Sequence, residues 1–204
     1  MTESAMGVRE RRRTETSSRL VAGARRLFTE RGLTGFTVEE LCDEVGVSRR
    51  TFFNYFASKD DAVLGVAGRD TDDELDDAFL AGGDPASDDL SPTLFEDFVR
   101  LLLERWERAE IDADGIRGVA EALKQEPRLL ARMMELAMRD EAIDTALVER
   151  REGLPPGDLR AAAVVQLVGA FARPSAMAFL DPDNTESIAE LFGRRLDAAR
   201  SVLR

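Results

Sequence analysis

Histidine is absent from this 204-residue chain, and cysteine, tryptophan and tyrosine occur once each. Without histidine no Ser-His-Asp or Cys-His catalytic arrangement can be built, and His-based metal sensing is excluded. The lone cysteine, Cys42, permits no internal disulfide and suits a reducing, cytoplasmic setting. Long apolar runs are also missing. The longest uncharged stretch, Ala161 to Ala172, falls short of the roughly 18 residues that a bilayer span requires, so no membrane association is expected. The first residues, MTESAMGVRERRR, place arginines ahead of TETSS rather than ahead of an apolar core, which does not fit a secretory signal. Runs of β-branched residues are scarce. Alanine, leucine, arginine and glutamate dominate, 33% of residues are charged and 6% aromatic, so an all-α fold is expected.

Cationic charge is scarce overall, with 28 Lys/Arg against 40 Asp/Glu for a net charge of −12. The deficit is uneven. Residues 1–60 carry 11 Lys/Arg and 9 Asp/Glu, a balance of +2, whereas residues 61–204 carry 17 and 31, a balance of −14. With a Debye length of about 8 Å at physiological salt, acidic charge on a distant body does little to a basic head.

The most informative stretch is Thr37 to Lys59, TVEELCDEVGVSRRTFFNYFASK. Thr37 followed by Glu40 forms a capping box. Val38, Leu41, Cys42 and Val45 recur at i, i+3, i+4 and i+7 and make one buried stripe. Gly46 can end that helix in a left-handed conformation. Ser48 is a good N-cap for a second helix, in which Phe52 and Phe56 face inward and Arg49, Arg50, Phe53 and Asn54 face outward. Ser58 and Asp61 open a further helix in the same way. Two short helices joined at a glycine turn form a helix-turn-helix unit, whose second helix enters the DNA major groove. Arg49 and Arg50 oppose the dipole of that helix at a cost of roughly 0.3–1 kcal/mol each. Guanidinium groups pair bidentately with guanine edges or phosphates, which gives the pair a purpose that helix stability does not.

Residues 14–64 resemble the N-terminal domain of the TetR/AcrR family of transcriptional regulators. The resemblance rests on Leu20, Ala24, Leu27 and Phe28 in a first helix, on the Gly32 turn, on Thr37, on the Gly46-Val47 turn, on the aromatic second helix and on Lys59. It implies that Thr37 and Lys59 contact phosphates and that Ser48, Arg49, Arg50 and Thr51 read the major groove. Asn54 completes that exposed face. Phe53 stands where many relatives have tyrosine, and Tyr55 where histidine is frequent, so the contact at Phe53 is apolar. The resemblance further implies a dimeric, ligand-responsive repressor bound to a palindromic double-stranded DNA operator. Two recognition helices would then be spaced roughly 34–36 Å apart.

The expected organisation is a flexible arm over residues 1–13 bearing Arg9, Arg11, Arg12 and Arg13, a helix-turn-helix domain over 14–60, and a helical regulatory domain over 61–204. The arm suits a phosphate backbone or minor groove, and equally a solvated tail. In the body, helix four is expected to run from Ser58 to Leu80, and further helices cover 92–109, 115–125, 128–151, 158–180 bent or broken near Pro174, and the segment ending near Leu203. The fourth of these body helices is apolar nearly all round and must be covered on most sides. Ala161, Ala162, Ala163, Gly169 and Ala170, with Ile188, Leu191, Phe192, Leu196 and Val202 of the final helix, are expected to meet a second copy. Phe98, Leu102, Trp106, Met133, Met134, Met138, Phe171 and Met177 are candidates to line a pocket for a small apolar effector, with ordinary core packing as the alternative.

No enzyme activity and no cofactor are expected. Asp72, Asp73 and Asp76 have the DDxxD spacing of magnesium-dependent prenyl enzymes, but Asp183, Ser187 and Glu190 miss the spacing of the second motif, and such a cluster reads as a solvated helix face. Asp181, Asp183 and Thr185 fail as a calcium loop because Glu186 and Phe192 occupy the glycine and bidentate-glutamate positions. The competing function is a helical ligand-binding or interaction protein with a vestigial DNA-binding head.

Overall fold

The computed structural model describes residues 3–66, 74–87, 89–108, 113–181 and 183–202, with backbone alone for 3–11 and 113–117. All regular structure among the described residues is helical: α1 (Glu3–Arg31), α2 (Val38–Val45), α3 (Arg49–Phe53), α4 (Lys59–Leu64), α5 (Glu74–Ala81), α6 (Leu94–Arg108), α7 (Ala113–Gln125), α8 (Pro127–Arg151), α9 (Leu159–Phe179) and α10 (Ile188–Val202). The chain divides into two compact units, Met1–Arg69 with Gly118–Met134, and Asp70–Arg117 with Glu135–Arg204. The first unit therefore extends past residue 60 and recruits a later segment, which local sequence signals did not indicate.

In the first unit, Leu20, Ala24, Leu27 and Phe28 of α1 pack with Leu41, Cys42, Val45, Phe52, Phe56 and Val63, all nearly sealed from solvent. A side chain at Gly23 would meet Leu41 and Val45 at 3.0 Å, so glycine there sets how closely α1 and α2 approach. Arg25 reaches from α1 to the end of α4, where its Nε donates to the Val63 carbonyl at 2.9 Å and its Nη2 to that of Leu64 at 3.3 Å. These carbonyls lack intrahelical partners, and a cation there also suits the helix dipole. Val119, Ala122 and Leu129 from the later segment are buried as well.

The second unit is organised around Phe79, Leu94, Phe98, Leu101, Leu147, Val148, Ala161, Val165, Val168 and Phe192. Two buried ionic clusters accompany this core. Arg105 bridges Asp76 at 2.5 Å and Asp144 at 2.9 Å. Arg151, with no exposed side-chain surface, meets Asp97 at 2.5 Å, donates to the Gly82 carbonyl at 3.0 Å and lies 4.4 Å from the Phe79 ring centre.

Four expectations need correction. Residues 3–13 continue α1 rather than forming an arm, because ESAMGVRERRR is rich in helix formers and Gly7 is its only breaker. Arg12 and Arg13 are exposed on it, and the side chains of Arg9 and Arg11 lie outside the described residues. Helix four does not reach Leu80 unbroken. Gly65 ends α4 with φ 75°, and α5 begins at Glu74. Asp76 does not belong to a solvated face, since it is buried against Arg105; Asp72 and Asp73 lie outside the described residues. The small-residue face also differs: Ala161, Leu191 and Phe192 belong to the unit's own core. The helix α9 continues through Pro174, with Ser175 Oγ donating to the Phe171 carbonyl at 2.7 Å.

Candidate nucleic-acid interface

Local chemistry builds the first unit's exposed face. Thr37 opens α2 from an extended backbone. Its amide donates to Glu40 Oε2 at 2.8 Å, and Glu40's amide donates to Thr37 Oγ1 at 3.2 Å, which completes the capping box. The Thr37 amide first, and then the Thr37 hydroxyl, which donates to the same carboxylate oxygen at 3.1 Å, hold the Glu40 carboxyl below its ordinary value. Gly46 closes α2 at φ 74°, and the amides of Gly46 and Val47 both donate to the Cys42 carbonyl. This tight reversal puts Ser48 at the start of α3, where its Oγ accepts from the Thr51 amide at 3.0 Å. Phe52 and Phe56 anchor α3 from beneath, buried and with ring centres 6.0 Å apart.

That anchoring turns Arg49, Arg50, Phe53 and Asn54 outward, all exposed, with Thr51 and Tyr55 half-buried. The helix is short: Asn54 caps it, and Tyr55 follows in the turn. Arg49 forms an ion pair with Glu39 of α2, and its guanidinium lies 5.8 Å from the Phe53 ring centre. Lys59 starts α4 but turns inward. Its Nζ donates to the Phe36 carbonyl at 2.5 Å and sits 4.8 Å from the Phe36 ring centre. Cys42 is buried at 3% exposure, and burial, with Asp43 and Glu39 nearby, pushes its thiol up from its ordinary value, away from a reactive thiolate.

The nine residues Thr37, Ser48, Arg49, Arg50, Thr51, Phe53, Asn54, Tyr55 and Lys59 thus fall on the α2 start, α3 and the α4 start of one unit. Glu39 was missed, although its place one residue before the capping glutamate and ten before Arg49 offered a faint clue.

The eight pocket candidates have different surroundings. Phe98 is core; Leu102 and Phe171 pack against that core. Trp106 stands edge-on to Phe179, with ring centres 6.0 Å apart. Met134, Met138 and Met177 are largely exposed, and Met133 and Met134 belong to the first unit. A shallow groove of about 380 Å³ includes Met138, Thr145 and Glu149 but none of the other seven.

The helix α9 presents a second surface. Leu159, Leu167 and Met177 are each more than half exposed, and only 17% of its apolar window is buried. By length and composition α9 could cross a membrane, which the count of uncharged residues did not reveal because Arg173 interrupts the run.

Residues 20–65 match the family model described as bacterial regulatory proteins, tetR family. The chain is similar to the HTH-type transcriptional regulator TcmR of Streptomyces glaucescens, 29% identical over 210 residues that cover 99% of this chain and 90% of that protein. It is also similar to the HTH-type transcriptional repressor AcnR of Corynebacterium diphtheriae, 42% identical over 60 residues that cover 28% of this chain and 32% of that one.

Proposed function

Because this chain belongs to the TetR family of transcriptional regulators, we propose that it is a homodimeric repressor that occupies a palindromic operator in the cytoplasm and leaves it when a small apolar effector binds the body. The observation that carries this proposal is the pair Arg49 and Arg50, exposed on the first turn of a helix held outward by buried Phe52 and Phe56. Side chains in that first turn are the ones that reach base edges when a recognition helix enters the major groove. Thr37, Ser48 and Thr51 supply hydroxyl donors for flanking phosphates, and the Lys59 ammonium, which spends one of its three donors on the Phe36 carbonyl, keeps the others for a phosphate at the α4 start.

A dimer gives the exposed apolar side of α9 its cover. Two copies pairing there, with Val202 of α10 at the margin, would remove Leu159, Leu167 and Met177 from water. An isologous pair also matches the two-fold symmetry of a palindrome. The name of the Corynebacterium relative favours repression over activation. An effector can release DNA only if it prefers the non-binding arrangement of the dimer.

Selection of binding sites from a random duplex pool tests this function. A palindromic consensus, with affinity that falls steeply as salt rises, is the expected result. Salt-insensitive failure to retain any duplex would overturn it and favour a ligand-binding protein with an idle head.

A further inference from the structure

We propose that Glu39 is a specificity-determining residue: it orients Arg49 toward base edges and penalises contacts that Arg49 makes to phosphate alone. The inference rests on the DNA-binding function proposed above.

Glu39 and Glu40 both occupy the first turn of α2, but they have different tasks. Glu40 is consumed by the capping box with Thr37. Glu39 instead faces the neighbouring helix, where it pairs with Arg49 through Nη1. Phe53 backs the same guanidinium with its ring, and it does so while 49% exposed. A carboxylate, a guanidinium and an aromatic ring from two helices therefore form one solvent-facing stack.

Stability does not account for the stack, because ion pairs this exposed contribute little. Orientation does. A guanidinium is a planar fork with five donors. Held at one nitrogen by Glu39 and over the ring by Phe53, it loses rotamer freedom while keeping its other donors for a bidentate acceptor. Guanine presents such an acceptor pair at O6 and N7. A phosphate presents one too, but with a negative charge that the adjacent carboxylate repels. Glu39 thus taxes backbone contacts more than base contacts. Arg50, next in sequence, is exposed and makes no ion pair among the described residues, so Glu39 acts on Arg49 alone.

The test uses the full chain and duplexes chosen by it from a random pool. Binding to the best duplex and to single-mismatch duplexes is measured for the parent, Glu39→Gln, Arg49→Ala and the double variant. Glutamine keeps the shape of Glu39 and removes its charge. The expected result is tighter binding of mismatched duplexes by Glu39→Gln, with the matched-to-mismatched ratio falling about 5- to 10-fold, on the scale of one lost base preference. In the Arg49→Ala background the same change leaves the ratio alone. A uniform shift across all duplexes, an unchanged ratio, or an equal fall without Arg49 each overturns the proposal while leaving DNA binding intact. A parent protein that prefers no duplex sinks the DNA-binding function itself.

Discussion

Arg132 grips Asp61 with both sides of its guanidinium, Nε at 2.7 Å from one carboxylate oxygen and Nη2 at 3.0 Å from the other. Four residues earlier, Arg128 does the same to Asp60 at 3.0 and 2.9 Å. One turn of α8 is thereby fastened to the first turn of α4, next to Lys59. The two grips differ in burial: the Asp61 side chain is 3% exposed and its arginine 28%, while Arg128 is 52% exposed.

That difference sets the first prediction. Arg132→Ala strands a buried carboxylate and should destabilise the first unit by about 3 kcal/mol. Arg128→Ala breaks a more exposed pair and should cost under ~1 kcal/mol. Urea unfolding followed by circular dichroism separates the two; equal losses would show that burial does not decide their worth.

DNA binding should divide by residue. Arg49→Ala or Arg50→Ala should weaken operator binding by about 1–3 kcal/mol and relax preference at one base if the arginine reads a base edge. Lys59→Ala should weaken all sequences alike and flatten the salt slope by about 1. It should also lower thermal stability, because the ammonium is bound to the Phe36 carbonyl and ring. Gel-shift titrations over a salt series, with melting curves, check both.

Acid should act through Asp97. Burial raises its pKa, but hydrogen bonds from Arg151, Thr93 and Arg100 prevail and hold it at about 2, below the ordinary 3.8. A depressed carboxyl contributes stability that is complete above the ordinary value and lost as pH falls toward the folded value. The contribution of roughly 2–2.5 kcal/mol should therefore vanish between about pH 4 and pH 2. Asp97→Asn should be less stable at neutral pH and should lack that part of the acid transition in urea titrations.

Self-association should depend on α9. Leu167→Arg places a charge in the middle of its exposed apolar side, next to Ala163 and Ala170. Sedimentation should show a dimer for the parent and monomer for the variant, with operator affinity reduced in parallel. A variant that stays dimeric would move the interface elsewhere.

The helix-turn-helix segment was legible because its signals are local. A capping box, a left-handed glycine and a serine cap act within a few residues, and Thr37, Gly46 and Ser48 behave as their neighbours require. Phe52 and Phe56 followed from spacing alone. Lys59 was harder, since its turn toward Phe36 depends on a residue 23 positions earlier. Asp76 was misread for the same reason, because Arg105, its partner, is 29 residues away. The Met candidates misled because methionine suits pocket and surface alike, and only tertiary packing leaves Met134 and Met138 outside.

The loop after α5 ends at Ser91, and neighbouring residues at the end of α8 hold both its ends. Arg151 takes the Gly82 carbonyl and Glu152 takes the Ser91 amide at 2.7 Å. The middle is pressed as well, since a side chain at Gly153 would strike the Pro85 carbonyl at 2.1 Å. A protease that nicked the exposed Ala86-Ser87 bond would free no fragment: each cut end would stay moored beside the other, and the nicked chain should migrate as one piece until denaturant is added.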